Sequence, residues 1–431
     1  MSAITIVFVT VSLVLMAFGI PVFVAFGAGS ALHEFLRTGN PAPALFSSTM
    51  SFGVTNLTLL AIPLFLYVGK LMNETGLTHV LFDFANQCVG AIRGGLGQVN
   101  VFLSMIFAGM SGSEVADIVG LGSIEMNAMK KAGYDERYAA GITLSSSLVG
   151  PIIPPSISAI LYAILAEVPV SELLFGLLVP GLLMGGLLMV MVYVLAVFQP
   201  KKFPRHETAI TFSTWWMAFR RAAPCLVTPL ILIGGIASGV FTATESAAFA
   251  GIWLTFVSIF WYRCLDFPGF WRVMRQTAID SSVIMIILGA ATLWMWILTR
   301  ARIPYVIGEW SASVTADPLV FMLIVGGVLL LVGCFTSVSV AINILVPILA
   351  PVAVLFEIDP LHFAAFFICV LNVGNVTPPF GLGLFALQKV TGMAFTDLVV
   401  GMLPFLLPMF AVMVIVMLFP AVSTWLPSVL F

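Results

Sequence analysis

The sequence predicts an all-α polytopic membrane protein made of two inverted-topology repeats, each with a re-entrant helical hairpin and a discontinuous transmembrane helix. Three observations predict this class. Of 431 residues, 61% are hydrophobic and 8% charged, against about 25% charged in a soluble domain, and mean hydropathy is +1.15. The apolar runs, such as 173–198 and 405–420, are continuous. They match spanning helices of roughly 20 residues rather than the alternating strands of a membrane barrel. Finally, a pair of Gly/Ser/Pro interruptions occurs twice at a fixed spacing of 224 residues.

The first interrupted stretch runs from Ser111-Gly112-Ser113 to Gly150-Pro151-Ile152-Ile153-Pro154-Pro155-Ser156. Backbone N–H and C=O groups left open in a bilayer cost several kcal/mol each. Broken helix at that depth therefore needs a bound ion, a substrate or a watery cavity beside it. The second copy follows from Gly333 to Gly381, with Gly109 falling on Gly333, Ser113 on Ser337, Asp135 on Asp359, Gly150 on Gly374 and Pro154-Pro155 on Pro378-Pro379. Such paired interruptions in two halves are the sequence mark of a transporter binding site.

In order, residues 1–199 form the first repeat: scaffold helices over 4–72, an interfacial arm over 73–95, a hairpin over 97–129, a broken helix over 138–166 and a helix over 172–198. Residues 43–52 read as a polar connection between scaffold helices. Residues 200–222, with Lys201, Lys202, Arg205, Arg220, Arg221 and the interfacial pair Trp215-Trp216, read as a cytoplasmic linker. Residues 223–431 form the second repeat, with a basic interfacial piece at 268–276, a span at 279–298, a hairpin over 318–356, a broken helix over 361–390 and a helix over 397–428. Trp261 and Trp271 read as interfacial anchors.

This order places 14 of the 17 Lys and Arg residues on one side, with only Arg37, Arg300 and Arg302 opposite. The positive-inside rule makes the first side cytoplasmic. Lys130-Lys131…Arg137, after the first hairpin, is then cytoplasmic. Its counterpart Glu357-Ile358-Asp359-Pro360 has no Lys or Arg and is external, so the hairpins enter from opposite sides. The five cysteines and four histidines show no metal-ligand spacing, and no nucleophile motif or Walker A loop is present. These features point away from an enzyme, a cofactor or direct ATP drive, and toward secondary coupling to an ion gradient.

At the interruptions the chain resembles a known family. Gly109-Met110-Ser111-Gly112-Ser113, Ala116-Asp117, Met129-Lys130-Lys131-Ala132-Gly133-Tyr134-Asp135 and Gly150 to Ser156 look like the large membrane subunit of TRAP (tripartite ATP-independent periplasmic) transporters, the DctM-like family of the ion transporter superfamily. Gly333, Pro347, Asp359-Pro360, Asn372-Val373-Gly374 and Thr377-Pro378-Pro379-Phe380-Gly381 agree. The resemblance covers nearly the whole chain. It implies a scaffold with an elevator-type transport domain, Na⁺ as coupling ion, and uptake of an organic acid across the bacterial inner membrane. It also implies two protein partners, a periplasmic substrate-binding protein and a small four-helix membrane subunit, here expected as a separate chain. No nucleic-acid partner is expected. Three positions depart from the family pattern: Glu114 and Ser337 at the hairpin tips, and Asn375 before the second Thr-Pro-Pro.

Sodium prefers hard oxygen ligands, which unwound carbonyls supply without buried charge. The expected ligands of one Na⁺ are Ser111, Ser113, Gly150, Ile153 and Pro155; of a second, Gly333, Thr336, Gly374, Thr377 and Phe380. Helix-tip amides can meet a carboxylate, so the substrate is expected near Ser111, Gly112, Ser113, Ser147, Ser156, Ser337, Ser339, Asn343, Asn372 and Asn375. Glu114, Asp117 and Glu245 are acids in apolar segments and candidates on that ground, with helix capping as the plain alternative. A stand-alone Na⁺- or H⁺-coupled carboxylate carrier and a channel remain open on the residues alone.

Overall fold

The structure is a computed structural model that describes residues 3–40, 43–204 and 210–431. The described residues form twenty α-helices and no strand. Among the described residues, eight helical stretches are long and apolar enough to cross a membrane.

The chain opens with α1 (Ala3–Ala17), α2 (Val22–Thr38), α3 (Pro43–Val54) and α4 (Ala61–Thr75). Gly39 and Gly76 end α2 and α4 in the left-handed region, at φ 74° and 64°, where glycine carries no Cβ penalty. The expected connection over 43–52 is instead the helix α3. Its Ser47 and Ser48 hydroxyls donate to carbonyls three residues back, so the polar residues that suggested a loop are satisfied within the helix.

The arm is α5 (Thr78–Val89). The first hairpin is α6 (Gly95–Ser111) and α7 (Glu114–Lys131), followed by the half-helices α8 (Glu136–Ser147) and α9 (Ile157–Ala166) and the long α10 (Val170–Phe198). Next come α11 (Phe212–Ala237), α12 (Ala243–Phe256), α13 (Phe267–Arg300) and α14 (Ile303–Val314). The chain ends with the second hairpin, α15 (Pro318–Phe335) and α16 (Val338–Leu355), the half-helices α17 (Pro360–Val376) and α18 (Leu382–Thr391), then α19 (Phe395–Leu418) and α20 (Ala421–Leu430).

Three boundaries differ from the sequence reading. The linker over 200–222 is short, because α11 begins at Phe212 under a reciprocal cap between Thr211 and Thr214 and carries Trp215 and Trp216 in its first turns. Arg205 and its neighbours to residue 209 lie outside the described residues. The basic piece over 268–276 and the span after it are one 34-residue helix, α13, opened by Asp266, whose carboxylate accepts from the Gly269 N–H at 2.8 Å. The closing helix expected over 397–428 is split at Phe419-Pro420, because Pro420 cannot donate to the helical ladder.

A shift of 224 residues carries α7 onto the bounds of α16, Glu114 onto Val338 and Lys131 onto Leu355. Asp135 and Asp359 share a role under the same shift. Asp135 caps α8 through the Arg137 N–H, and Asp359 caps α17 through the N–H groups of Leu361 and His362. The packing is reciprocal as well. The hairpin arm α7 lies on α18 and the arm α16 lies on α9; α8 lies on α19 and α17 on α10. The α8–α19 approach is close because Gly141 and Gly401 meet there, leaving no room for a Cβ on either. Around this unit, α4, α12 and α13 pack together, with α2 and α3 against α13 and α11 against α12 and α5. Two ion pairs tie α4 to α13, Lys70–Asp280 at 2.5 Å and Glu74–Arg272 at 2.7 Å. Arg37 and Arg300, both placed externally by charge, converge on the buried Glu34.

Candidate functional site

The first hairpin turns on one residue. Gly112 takes φ 60° between α6 and α7, and a Cβ there would run into the Pro155 carbonyl oxygen. This glycine lets the tip sit on the first helix break. Ser113 is extended at φ −140° and accepts from the Ala116 N–H, capping α7. The Ser111 hydroxyl donates to Asp117 Oδ1. The other oxygen, Asp117 Oδ2, is buried with no hydrogen-bond partner, and it packs where a Cβ on Gly150 would stand. Tip, break and carboxylate thus share one small space.

The first break covers residues 148–156. Ser156 ends it by accepting from the Ala159 N–H at 3.1 Å and donating to the Pro151 carbonyl. The second hairpin tip is equally short, with only Thr336 and Ser337 between α15 and α16. It too sits on a break: the Gly381 N–H donates to the Cys334 carbonyl at 3.0 Å, and the Phe335 and Phe380 rings lie 4.9 Å apart. Beneath them Gly333 and Gly374 abut, each about 3.0 Å from where the other's Cβ would be. The second break, however, spans only 377–381. Gly374 and Asn375 belong to α17, which runs on to Val376.

Both hairpin tips, Pro151 of the first break, and Asn372, Asn375 and Leu382 of the helices flanking the second break line a cavity of about 350 Å³. Its walls include Gly112, Ser113, Ser337, Ser339, Asn372 and Asn375 from the expected substrate set. Beyond Ser113 and Val115 lies a cleft of about 500 Å³ between α7 and the α4–α13 wall, reaching Ser111, Lys70, Asn73 and Glu74. Leu66 and Asp280 line both spaces.

Four expected substrate residues stand elsewhere. Ser147 donates to the Leu144 carbonyl, the back-bond common for helical serine. Ser156 is committed to its cap. Asn343 donates to the Ser339 carbonyl at 2.7 Å on the buried side of α16, and Ser111 lines the adjoining cleft rather than the cavity. Of the second ion set, Thr336 and Thr377 donate their hydroxyls to Val332 and Val373 of their own helices. Of the acids, Glu245 is a capping residue, accepting from the Thr242 N–H and hydroxyl at 2.8 Å each.

Two of the three departures from the family pattern meet in space. Asn375 Nδ2 of α17 donates to Glu114 Oε2 of α7, across 261 residues of sequence. Glu114 Oε1 packs against Gly383 of α18 and has no hydrogen-bond partner. Removing Asn375 should strand the carboxyl. Asn375→Ala is expected to cost about 1–3 kcal/mol, read as a lowered unfolding temperature in detergent, and Glu114→Ala in the same chain should restore part of it.

The sequence reading missed Glu125, 1% exposed on the buried stripe of α7 with an unpartnered oxygen. The spacing of Glu114, Asp117, Ile118, Leu121, Gly122, Glu125 and Met129 along one helical face would have revealed it. It also missed the Lys70–Asp280 pair, whose partners lie on separate helices.

The comparisons with known proteins come from both sequence and shape. Residues 9–422 match the family model described as the tripartite ATP-independent periplasmic transporter, DctM component. The chain is 35% identical over 403 residues to the sialic acid TRAP transporter large permease protein SiaM of Vibrio cholerae, covering 92% of each chain. It is 37% identical over 371 residues to the C4-dicarboxylate TRAP transporter large permease protein DctM of Pseudomonas aeruginosa, covering 86% of each. Against the 2,3-diketo-L-gulonate TRAP transporter large permease protein YiaN of Escherichia coli, identity is 31% over 376 residues, covering 87% of this chain and 88% of that one. The crystal structure of the Alcanivorax borkumensis YdaH transporter superposes with a TM-score of 0.64 over 97% of this chain and 98% of its own, at 15% identity, a likeness of fold. With the eight candidate spans, these matches describe a multi-pass inner-membrane permease. The chain belongs to the DctM component family of the tripartite ATP-independent periplasmic transporters.

Proposed function

We propose that this chain carries a small organic acid inward across the bacterial inner membrane, coupled to Na⁺, by an elevator movement of one part against another. The carrying observation is a cavity lined by both hairpin tips, by Pro151 of the first helix break and by the two half-helices that flank the second. In this reading the halves are inverted repeats, supported by the matching bounds and the reciprocal packing. The moving part is α6–α10 with α15–α19, and the static wall is α4, α12 and α13. Related permeases are named for sialic acid, C4-dicarboxylates and 2,3-diketo-L-gulonate, so the substrate is a carboxylate of that size range. A periplasmic binding protein delivers it, and a separate small membrane subunit completes the permease.

The residues of the first ion set fit Na⁺. Asp117 Oδ2 is an orphaned buried acceptor beside Gly150, while Oδ1 accepts from the Ser111 hydroxyl and the Pro155 carbonyl lies against Gly112 of the same tip. There Na⁺ would supply the positive charge that a buried carboxylate otherwise lacks. In the second set the ligands would be backbone carbonyls and the remaining lone pairs of Thr336 and Thr377. The substrate carboxylate would lie at the N-termini of α7 and α16, where free amides and the helix dipole favour an anion.

Among the described residues, Lys70 is the one basic side chain lining either space. Fixed to the wall by Asp280, it can receive the anion as the site turns inward. Lys70→Gln is expected to raise the KM for uptake about tenfold with a smaller change in maximal rate.

The experiment is reconstitution of this chain with its small subunit and binding protein in liposomes, with a Na⁺ gradient imposed. Accumulation of the binding protein's ligand should follow that gradient. Equal accumulation under a proton gradient alone would refute Na⁺ coupling. Full uptake by the chain without its partners would favour a stand-alone carrier.

A further inference from the structure

The cavity at the hairpin tips is lined by two unlike sets of polar groups. In the first set every side-chain donor is already spent. Asn372 Nδ2 donates to the Ile368 carbonyl at 2.7 Å, and Asn375 Nδ2 donates to Glu114 Oε2. A carbonyl and a carboxylate only accept, so both amide orientations are fixed. Asn372 Oδ1, Asn375 Oδ1 and Glu114 Oε1 are left buried with no hydrogen-bond partner among the described residues. All three residues line the cavity, and none is more than 5% exposed. Asn372 and Asn375 stand three apart on α17, hence side by side on one face. This part of the wall offers acceptors and lacks donors.

The tip of α16 is the converse. Ser337 precedes the helix without a side-chain cap, and no acid stands in the first turn. The first amides of α16 are therefore unspent. The hydroxyls of Ser158, Ser337 and Ser339, which also line the cavity, have no protein partner among the described residues. At the other tip, Glu114 and Asp117 already occupy the first turn of α7, and the Ser113 hydroxyl oxygen caps it. The helix-end field that favours an anion is thus open at α16 and answered at α7. Among the described residues no Lys, Arg or His lines the cavity, and its second acid, Asp280, is held by Lys70.

We propose that the solute carried here is an acid with one carboxylate and, away from it, hydrogen-bond donors, either hydroxyl or ammonium. Its carboxylate lies at the α16 tip and its donors meet Asn372, Asn375 and Glu114. The proposal rests on the transport role given to this cavity above, and adds the solute's chemistry and direction. A plain dicarboxylate has acceptors at both ends. Its second carboxylate would face three oxygens that already lack donors, with no cation on the wall to offset it. Sites with buried polar groups discriminate strongly against a ligand that leaves those groups unpaired.

The test is protection of Val115→Cys, a cavity position about half exposed, in a chain whose five native cysteines are replaced. The purified chain with its small subunit is alkylated by a maleimide at saturating Na⁺. Three acids of equal chain length that differ only at the far end are titrated: 4-hydroxybutyrate, 4-aminobutyrate and succinate. At least one of the first two should protect at about tenfold lower concentration than succinate, and the better of them tells hydroxyl from ammonium. Glu114→Gln, which turns an acceptor into a donor, should bring that ratio to about one. Ser337→Asp keeps a good helix cap but puts a charge at the carboxylate end. It should weaken protection by all three acids about tenfold and leave their ratio unchanged. Succinate protecting as well as both other acids would overturn the proposal while leaving the cavity a solute site. So would a ratio unchanged in Glu114→Gln, a shift there in the Na⁺ requirement of all three acids instead of their ratio, or full protection in Ser337→Asp. Protection by none of the three would overturn the transport role of the cavity itself, and the proposal with it.

Discussion

Asp117→Asn is expected to lower Na⁺-driven uptake about a hundredfold while the protein still inserts and folds. Asp117 is 2% exposed, bonded on one oxygen by Ser111 and on the other by nothing. A buried carboxylate left without a partner is strongly unfavourable, by several kcal/mol, so the arrangement calls for a cation beside Gly150. The amide keeps the shape and the Ser111 contact but removes the charge that would hold Na⁺. Losing about 3 kcal/mol of such pairing corresponds to a rate or affinity loss of roughly a hundredfold. The measurement is initial uptake as a function of Na⁺ concentration, in which the variant should need far more Na⁺ for half-maximal rate. An unchanged Na⁺ dependence would remove Asp117 from the ion site. Glu125→Gln, on the same face but remote from the tip, should leave that dependence intact.

Gly112→Val should abolish uptake and lower stability by about 2–5 kcal/mol. The residue occupies the left-handed region at φ 60°, which costs a β-carbon residue about 1–2 kcal/mol. Its new Cβ would also collide with the Pro155 carbonyl, and such overpacking costs about 1–3 kcal/mol. The tip would be forced off the break and the shared space would open. Gly327→Ala on α15 is the control: nothing lies within 4 Å of its would-be Cβ, so it should fold and transport as the parent does. Unfolding temperature and uptake, measured on both, separate a local effect at the tip from a general intolerance of glycine replacement.

Much of the arrangement was legible in the sequence because its signals are local. Ser-Gly-Ser between apolar arms marked the first hairpin, Pro-Pro after Gly marked each break, and Asp135 and Asp359 at matching distances marked the caps that start α8 and α17. What stayed hidden depends on long-range packing. Asn375 and Glu114 stood out singly, but nothing local says that residues 261 apart share a hydrogen bond. Ser147 and Asn343 looked like site residues by type, yet each turns its donor back onto its own helix. Gly374 was read as part of the second break, but the helix runs past it, because its close contact with Gly333 needs a small residue rather than an unwound one. Residues 43–52 misled in the opposite way, since serine back-bonding lets a polar segment stay helical. The wall itself, with Lys70–Asp280 and Glu74–Arg272, emerged only once α4 and α13 stood side by side.

The most direct test of the account joins the wall to the hairpin tip. Val115 on α7 and Val283 on α13 line the same cavity, and each is about half exposed, 50% and 52%. In a chain whose five native cysteines are replaced, Val115→Cys with Val283→Cys can be bridged by a short bifunctional thiol reagent and released by a reductant if the reagent carries a disulfide. If the cavity is a transport site carried past a static wall, bridging stops uptake and reduction restores it, with either single cysteine unaffected. Full uptake by the bridged protein would contradict the account.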